Sequence, residues 1–215
     1  MIFFDLDGTL LDHDAAERQG ALAFAAAFGL DKSDFIERWR DVSDRHMDRF
    51  LAGEIDFAEQ RRLRMREVFG RELSNDEADE AFESYLDAYE SGWRLYPDVL
   101  PCLERLEGTA LGVITNGNRA QQVKKLEAAS ILSMFALVVT SEDAGTAKPD
   151  PEIFRFACDR AGVPPAASTY IGDRLDTDAH AAVRAGLRGI WLNRTASASD
   201  VAEVEVIGSL EAFDL

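Results

Sequence analysis

Apolar positions along this chain follow two different periods. Residues 2–6 (Ile-Phe-Phe-Asp-Leu) form a short strand-like run that breaks at once at Gly8-Thr9. From Asp14 to Glu90 apolar residues recur at spacings of three and four, with no proline and almost no β-branched runs, which predicts helix after helix. Gly29, Gly53 and Gly70 fall between these stretches and mark stops or turns. Beyond Pro97 the texture changes. Strands predicted over 110–114, 136–140, 168–172, 189–192 and near 204–207 alternate with helices over 119–130, 152–161 and 177–186.

Short apolar strands separated by helices predict an α/β fold with a doubly wound, mostly parallel sheet. The first strand belongs with the later α/β half. Residues 1–12 and 96–215 are therefore expected to form one core, and 13–95 a helical insertion between its first two strands. In such sheets the ligand site lies at the carboxyl ends of the strands.

Composition narrows the partners. The chain has 215 residues, 47% of them hydrophobic, which suits a globular protein and excludes disordered and fibrous classes. Its net charge of −17 argues against binding a nucleic-acid polymer or an anionic membrane, since both need basic footprints. Cys102 and Cys158 fit no zinc or CxxC spacing and are expected to be reduced and partly buried. The N-terminal run has no basic region, and Ala21–Leu30 is about half the ~20 residues of a membrane span. A soluble, cytoplasmic protein is the expectation; no feature of the sequence reports oligomeric state.

The chemistry sits after each strand. Asp5-Leu6-Asp7-Gly8-Thr9 follows the first, Thr115-Asn116-Gly117-Asn118 the second, Ala147-Lys148-Pro149 the third, and Gly172-Asp173-Arg174-Leu175-Asp176-Thr177-Asp178 the fourth. Converging in one crevice, they bring together Asp5, Asp7, Asp173 and Asp178 with one hydroxyl and one ammonium. Clustered carboxylates need a cation or raised pKa values. An all-oxygen set without His or Cys points to Mg²⁺, and Mg²⁺ beside Lys148 and Thr115 suits phosphate oxygens. Asp5 is placed to attack phosphorus, Asp7 to exchange protons with the leaving oxygen and then with water, and Lys148 to neutralise charge. The N-terminus opened after Thr115 suits an anion.

These four ordered segments resemble the motifs of the haloacid dehalogenase-like (HAD) superfamily, and the likeness covers the whole chain, including a helical insertion similar to the cap of subfamily I phosphatases. The resemblance implies a Mg²⁺-dependent phosphatase that hydrolyses a small phosphomonoester through an aspartyl-phosphate on Asp5. It implies Asp7 as general acid/base and metal ligand through its backbone carbonyl, Asp173 and Asp178 as metal carboxylates, and Thr115, Asn116 and Lys148 around the phosphate. Nucleotide and sugar phosphates head the expected substrates. True haloacid dehalogenases of this fold lack the second aspartate, so Asp7 favours phosphate transfer. Phosphonate hydrolases use a cap lysine, and only Lys32 is available here. A phosphosugar mutase or a non-enzymatic phospho-acceptor are the other readings. Arg174 stands where Ser or Thr is common, which leaves one local hydrogen bond open.

In the insertion, Arg61, Arg62, Arg64 and Arg66 read as a solvated, salt-bridged face. Arg45, Arg49 and Arg62 are candidates to reach the leaving group. Phe24, Phe28, Phe35 and Trp39 read as core of the insertion, and His46 and His180 as ordinary helix residues.

Overall fold

The computed structural model describes residues 1–31, 33–195 and 204–214. Lys32 lies outside them, as does the polar stretch Thr195–Ser199 beyond Thr195 itself. Two compact units divide the chain: Met1–Asp12 with Arg94–Leu215, and His13–Trp93. The chain returns to the first unit slightly earlier than its texture indicates, because Leu95 and Tyr96 pack on the apolar layer of the sheet.

The first unit is built on six strands: β1 (Ile2–Phe4), β2 (Leu111–Thr115), β3 (Leu137–Thr140), β4 (Thr169–Gly172), β5 (Arg188–Leu192) and β6 (Glu205–Ile207). All neighbours run parallel, in the order β3-β2-β1-β4-β5-β6. A parallel sheet covered on both faces needs apolar side chains on both. Strand β1 supplies them alternately: Ile2 and Phe4 enter one apolar layer with Val113, Ile171 and Ile190, while Phe3 enters the other with Ile114, Val139 and Tyr170. The order reverses at the centre, between β1 and β4, so the crevice of a doubly wound sheet falls at the ends of these strands.

Helices α5 (Val99–Arg105), α6 (Arg119–Ala128), the single turn α7 (Ser141–Ala144), α8 (Glu152–Ala161) and α9 (Ala181–Ala185) complete this unit. The continuous helix expected over 177–186 begins differently: Leu175–His180 is π-helical and only then tightens into α9. Wide turns of this kind recur near functional sites, and this one carries Asp178. Cys102 and Cys158 are free and buried. No helix among the described residues is long and apolar enough to cross a membrane.

A buried ion pair ties the C-terminal segment to the unit. Asp98 accepts from Arg194 Nη1 and Nη2 at 2.8 and 3.0 Å, from Ser209 Oγ at 2.8 Å and from the Leu210 amide at 2.8 Å. Arg194 also reaches the Thr9 carbonyl at 2.8 Å. Asp98→Ala strands the arginine, and chemical denaturation is expected to show a loss of about 3–5 kcal/mol, the usual cost of removing one member of a buried pair.

The second unit contains α1 (His13–Ala27), α2 (Phe35–Leu51), α3 (Phe57–Phe69) and α4 (Asn75–Ser91). Helix α4 opens with a capping box between Ser74 and Glu77, and α3 ends at Gly70 with φ 64°. Phe24, Phe35, Trp39, Met65 and Tyr85 form its core. Gly20 in mid-α1 would cost about 1 kcal/mol as a helix residue, but an added Cβ would lie 2.6 Å from the Tyr85 ring, so close packing requires it. Phe28 is exposed, yet its ring centroid lies 4.7 Å from that of Phe24 and 5.1 Å from that of Phe69, an extension of this core.

Candidate active site

Strand β1 ends at Phe4, two residues before the sequence pattern does. The Asp5 amide still bonds to the Ile171 carbonyl at 2.9 Å, which fixes Asp5 at the strand's carboxyl end. The chain then turns through Gly8, at φ 88°, a conformation that costs glycine nothing. A Cβ there would lie 2.5 Å from Asp173 Oδ2, so Gly8 also makes room for the carboxylate arriving from β4. Gly172 does the same for Asp178, whose Cγ would be 2.4 Å from an added Cβ.

These spaces let Asp5, Asp173 and Asp178 converge, with one carboxylate oxygen of each within 4.8 Å of the others. Lys148 reaches into the cluster. Its Nζ lies 2.6 Å from Asp5 Oδ1, 2.6 Å from Asp178 Oδ1 and 2.7 Å from the Tyr170 hydroxyl, so all three ammonium protons have acceptors. Tyr170 in turn lies 3.0 Å from Asp178 Oδ1 and 3.1 Å from the Ile114 carbonyl. Thr9 Oγ1 donates to Asp173 Oδ1 at 3.1 Å, with a longer 3.4 Å approach to Asp5 Oδ2. Trp191 Nε1 holds the Asp173 carbonyl at 2.8 Å.

Three carboxylates gather about one ammonium, which bonds two of them, and the imbalance shows in their proton affinities. Burial raises the Asp5 carboxyl well above its ordinary value; Lys148 pulls it down, but Asp178 and Asp173 add to the rise. Burial and the Asp178 charge likewise raise Asp173. Burial would lower Lys148, but the charges of Asp178 and Asp5 outweigh it and hold the ammonium above its usual range. The donor set is all oxygen, half-enclosed and short of positive charge, which fits a hard divalent cation such as Mg²⁺.

Asp7 lies apart from the cluster. Its carboxylate faces α6, where Lys125 Nζ lies 2.8 and 2.6 Å from Oδ1 and Oδ2 and Gln122 Nε2 lies 3.0 Å from Oδ2. Gln122 also meets Thr115 Oγ1 at 2.8 Å and the Asn116 carbonyl at 3.1 Å. The Asn116 side chain is committed to the Lys148 backbone, donating to its carbonyl at 2.9 Å and accepting from its amide at 2.8 Å, across a cis Lys148–Pro149 peptide's first residue. Asn116 thus seats the lysine loop. The anion site expected at the start of α6 is partly filled by the protein itself, since Glu142 accepts from the Arg119 amide at 2.7 Å and Ser141 from the Gly117 amide at 2.9 Å. The Arg174 amide donates to Asp178 Oδ2 at 2.9 Å, a bond that any non-proline residue at this position could make.

The haloacid dehalogenase-like hydrolase model matches residues 1–186. The chain belongs to this HAD-like family. It is 40% identical over 116 residues to the glyceraldehyde 3-phosphate phosphatase of Methanopyrus kandleri, covering 53% of this chain and only 50% of that protein. It is 28% identical over 204 residues to the N-acylneuraminate-9-phosphatase of Homo sapiens, covering 90% and 82%. Among solved structures, the 2-haloacid dehalogenase of Pseudomonas syringae pv. Tomato DC3000 matches with a TM-score of 0.73 and 31% identity, over 98% of this chain and 94% of that one.

Within this HAD-like chain, sequence reasoning passed over Tyr170, Gln122 and Lys125. A tyrosine inside an otherwise apolar strand was the available signal for the first, because a buried hydroxyl needs partners. The salt-bridged face expected of the α3 arginines is formed by Arg62 and Arg66, and Arg64 departs from it. Arg62 pairs with Asp79 at 2.9 and 2.7 Å and Arg66 with Glu59 at 3.2 Å, but Arg64 is buried over the rings of Trp39, Phe82 and Tyr85. Aromatic faces can hold a guanidinium where no carboxylate does. The other two arginine candidates also have partners within the helical unit: Arg45 bonds Glu67, and Arg49 lies 3.2 Å from Glu54. His46 bonds Glu67 at 2.9 Å, and His180 bonds Asp176 at 2.9 Å.

Proposed function

We propose that this protein is a Mg²⁺-dependent phosphatase of small phosphomonoesters, working through an aspartyl-phosphate on Asp5. The observation that carries this reading is the convergence of Asp5, Asp173 and Asp178, the first and last bonded to Lys148, with a second aspartate two residues after the first. The relatives named as phosphatases support it. An Asp5 oxygen attacks phosphorus while the bond to the ester oxygen breaks, and Asp7 gives that oxygen its proton. Asp7 then takes a proton from water, whose oxygen attacks phosphorus and restores the Asp5 carboxylate. Lys148 favours the ionised form of Asp5 against burial and its carboxylate neighbours, and offsets charge next to it. Asp5, Asp173 and Asp178 would hold Mg²⁺, with the Asp7 carbonyl as a further ligand; bound there, it supplies charge to the phosphoryl oxygens. The α/β unit carries this chemistry.

Haloacid hydrolysis is the second reading, favoured by the likeness to a dehalogenase. A halide leaves without a proton, however, whereas an alkoxide needs one, and Asp7 is a donor that only the ester reaction uses. A panel of nucleotide, sugar and glyceraldehyde phosphates assayed for phosphate release, beside 2-chloropropionate assayed for chloride, separates the two. Phosphate release that vanishes in EDTA and returns with Mg²⁺ is expected; chloride release alone would overturn the proposal.

Proton affinities add a second check. Asp5 and Asp173 hold protons more tightly when folded than the ordinary carboxylate value of about 3.9. Metal and protons compete for them, so the thermal stabilisation given by Mg²⁺ should grow as pH rises from about 4 toward neutrality. Scanning fluorimetry across that range, with and without the ion, reads this directly.

A further inference from the structure

We propose that Lys125 and Gln122 are positioning residues that set the direction of the Asp7 carboxylate for proton transfer to the leaving oxygen. The inference rests on the phosphatase reading above. Both residues come from one face of α6, three positions apart, and both are almost fully buried. Lys125 spans the two Asp7 oxygens at 2.8 and 2.6 Å, and Gln122 adds a bond at 3.0 Å. Such contacts fix both side-chain torsions of an aspartate, where a single donor would leave the carboxyl free to swing.

Stability alone does not account for this lysine. A buried lysine–carboxylate pair gains little over an apolar pair of similar volume, because desolvation offsets the attraction. Geometry gives it a use. Through Gln122, Asp7 is tied to Thr115 Oγ1 at 2.8 Å, the hydroxyl expected beside the phosphate, so the phosphate seat and the proton donor share one frame. In the first half-reaction the proton that Asp7 took from water in the preceding turnover goes to the bridging oxygen, which takes the electron pair of the breaking P–O bond while the phosphoryl group passes to Asp5, and Lys125 pairs with the Asp7 carboxylate left behind. In the second, a water proton goes to Asp7, the water oxygen bonds to phosphorus, and the Asp5–phosphorus bond breaks. Only the first half depends on how basic the leaving group is.

That asymmetry supplies the test. Steady-state kinetics would compare the wild type with Lys125→Met and Lys125→Arg on glycerol phosphate, p-nitrophenyl phosphate and 2,4-dinitrophenyl phosphate. Lys125→Met should lower kcat about 100-fold on the alkyl ester, the scale of a misdirected general acid. The loss should shrink stepwise as the leaving group becomes more acidic, with KM little changed and part of the loss recovered in Lys125→Arg. Equal loss on all three esters, or none, overturns the inference. Gln122→Leu, which keeps the buried ion pair, should give a smaller loss with the same graded dependence if Lys125→Met fails to fold. The parent reading fails separately: a wild type that releases no phosphate from any ester, or an Asp5→Asn protein that still does, removes the phosphatase and this inference with it.

Discussion

Asp5→Asn is expected to reduce phosphate release by about 10⁴-fold or more, since removal of a nucleophile leaves only binding and electrostatic effects behind. The fold should survive. The amide oxygen still accepts from Lys148, at 2.6 Å in the native protein, and the change removes one of three crowded negative charges. Burial and neighbouring carboxylates already hold the Asp5 carboxyl above its ordinary range, so a neutral group there is a milder perturbation than at most ion-paired aspartates. Phosphate release and urea denaturation, run on the same preparation, check both halves. An inactive variant that is also unfolded would say nothing of the nucleophile, whereas an active one would remove Asp5 from the mechanism.

Lys148→Met has the opposite profile. Its ammonium lies 2.6 Å from both Asp5 and Asp178, and no second cation replaces it among the cluster's described contacts. Breaking a buried pair from one side costs about 3–5 kcal/mol, and both activity and stability should fall together. The sign of the pH dependence follows from the carboxyls left behind. With the lysine gone they bind protons in the folded state at higher pH than in the unfolded chain. The folded state then holds the extra protons, so stability recovers as pH falls from neutrality toward the ordinary carboxylate range near 4. Urea denaturation at pH 7 and pH 5 should show a smaller deficit at the lower pH. A deficit that grows on acidification would mean the lysine is not what balances these carboxylates.

Much of this architecture was legible because it is written locally. Each strand of the buried sheet is a short apolar run, and the carboxylate and Thr115 candidates end or closely follow one, near Gly8, Gly117 or Gly172; only Lys148 is separated from its strand, by α7. What escaped depends on long-range alignment. Lys125 lies 118 residues from Asp7 in sequence, on a helix reading Gln-Gln-Val-Lys-Lys-Leu that looks solvated. Nothing local says which of two adjacent lysines turns inward; the register of α6 on the sheet decides it. Arg64 escaped for a related reason. Charge alone predicts exposure, and only the convergence of Trp39, Phe82 and Tyr85 from other helices reverses it. The π-helical turn before α9 is likewise invisible to a pattern that counts in steps of three and four.

The junction between the two units has a consequence for how such a chain can be altered. The Asp12 amide bonds to the Arg94 carbonyl at 3.0 Å, the Tyr96 amide to the Leu10 carbonyl at 3.1 Å, and Leu11 and Leu95 form an antiparallel bridge. The 81 residues of His13–Trp93 therefore leave and re-enter at neighbouring points already stitched to each other. To the sheet, that whole stretch is a single hairpin loop. Its length or content can change without moving either anchor, so the helical unit can be exchanged as a module while the aspartates at the strand ends keep their places.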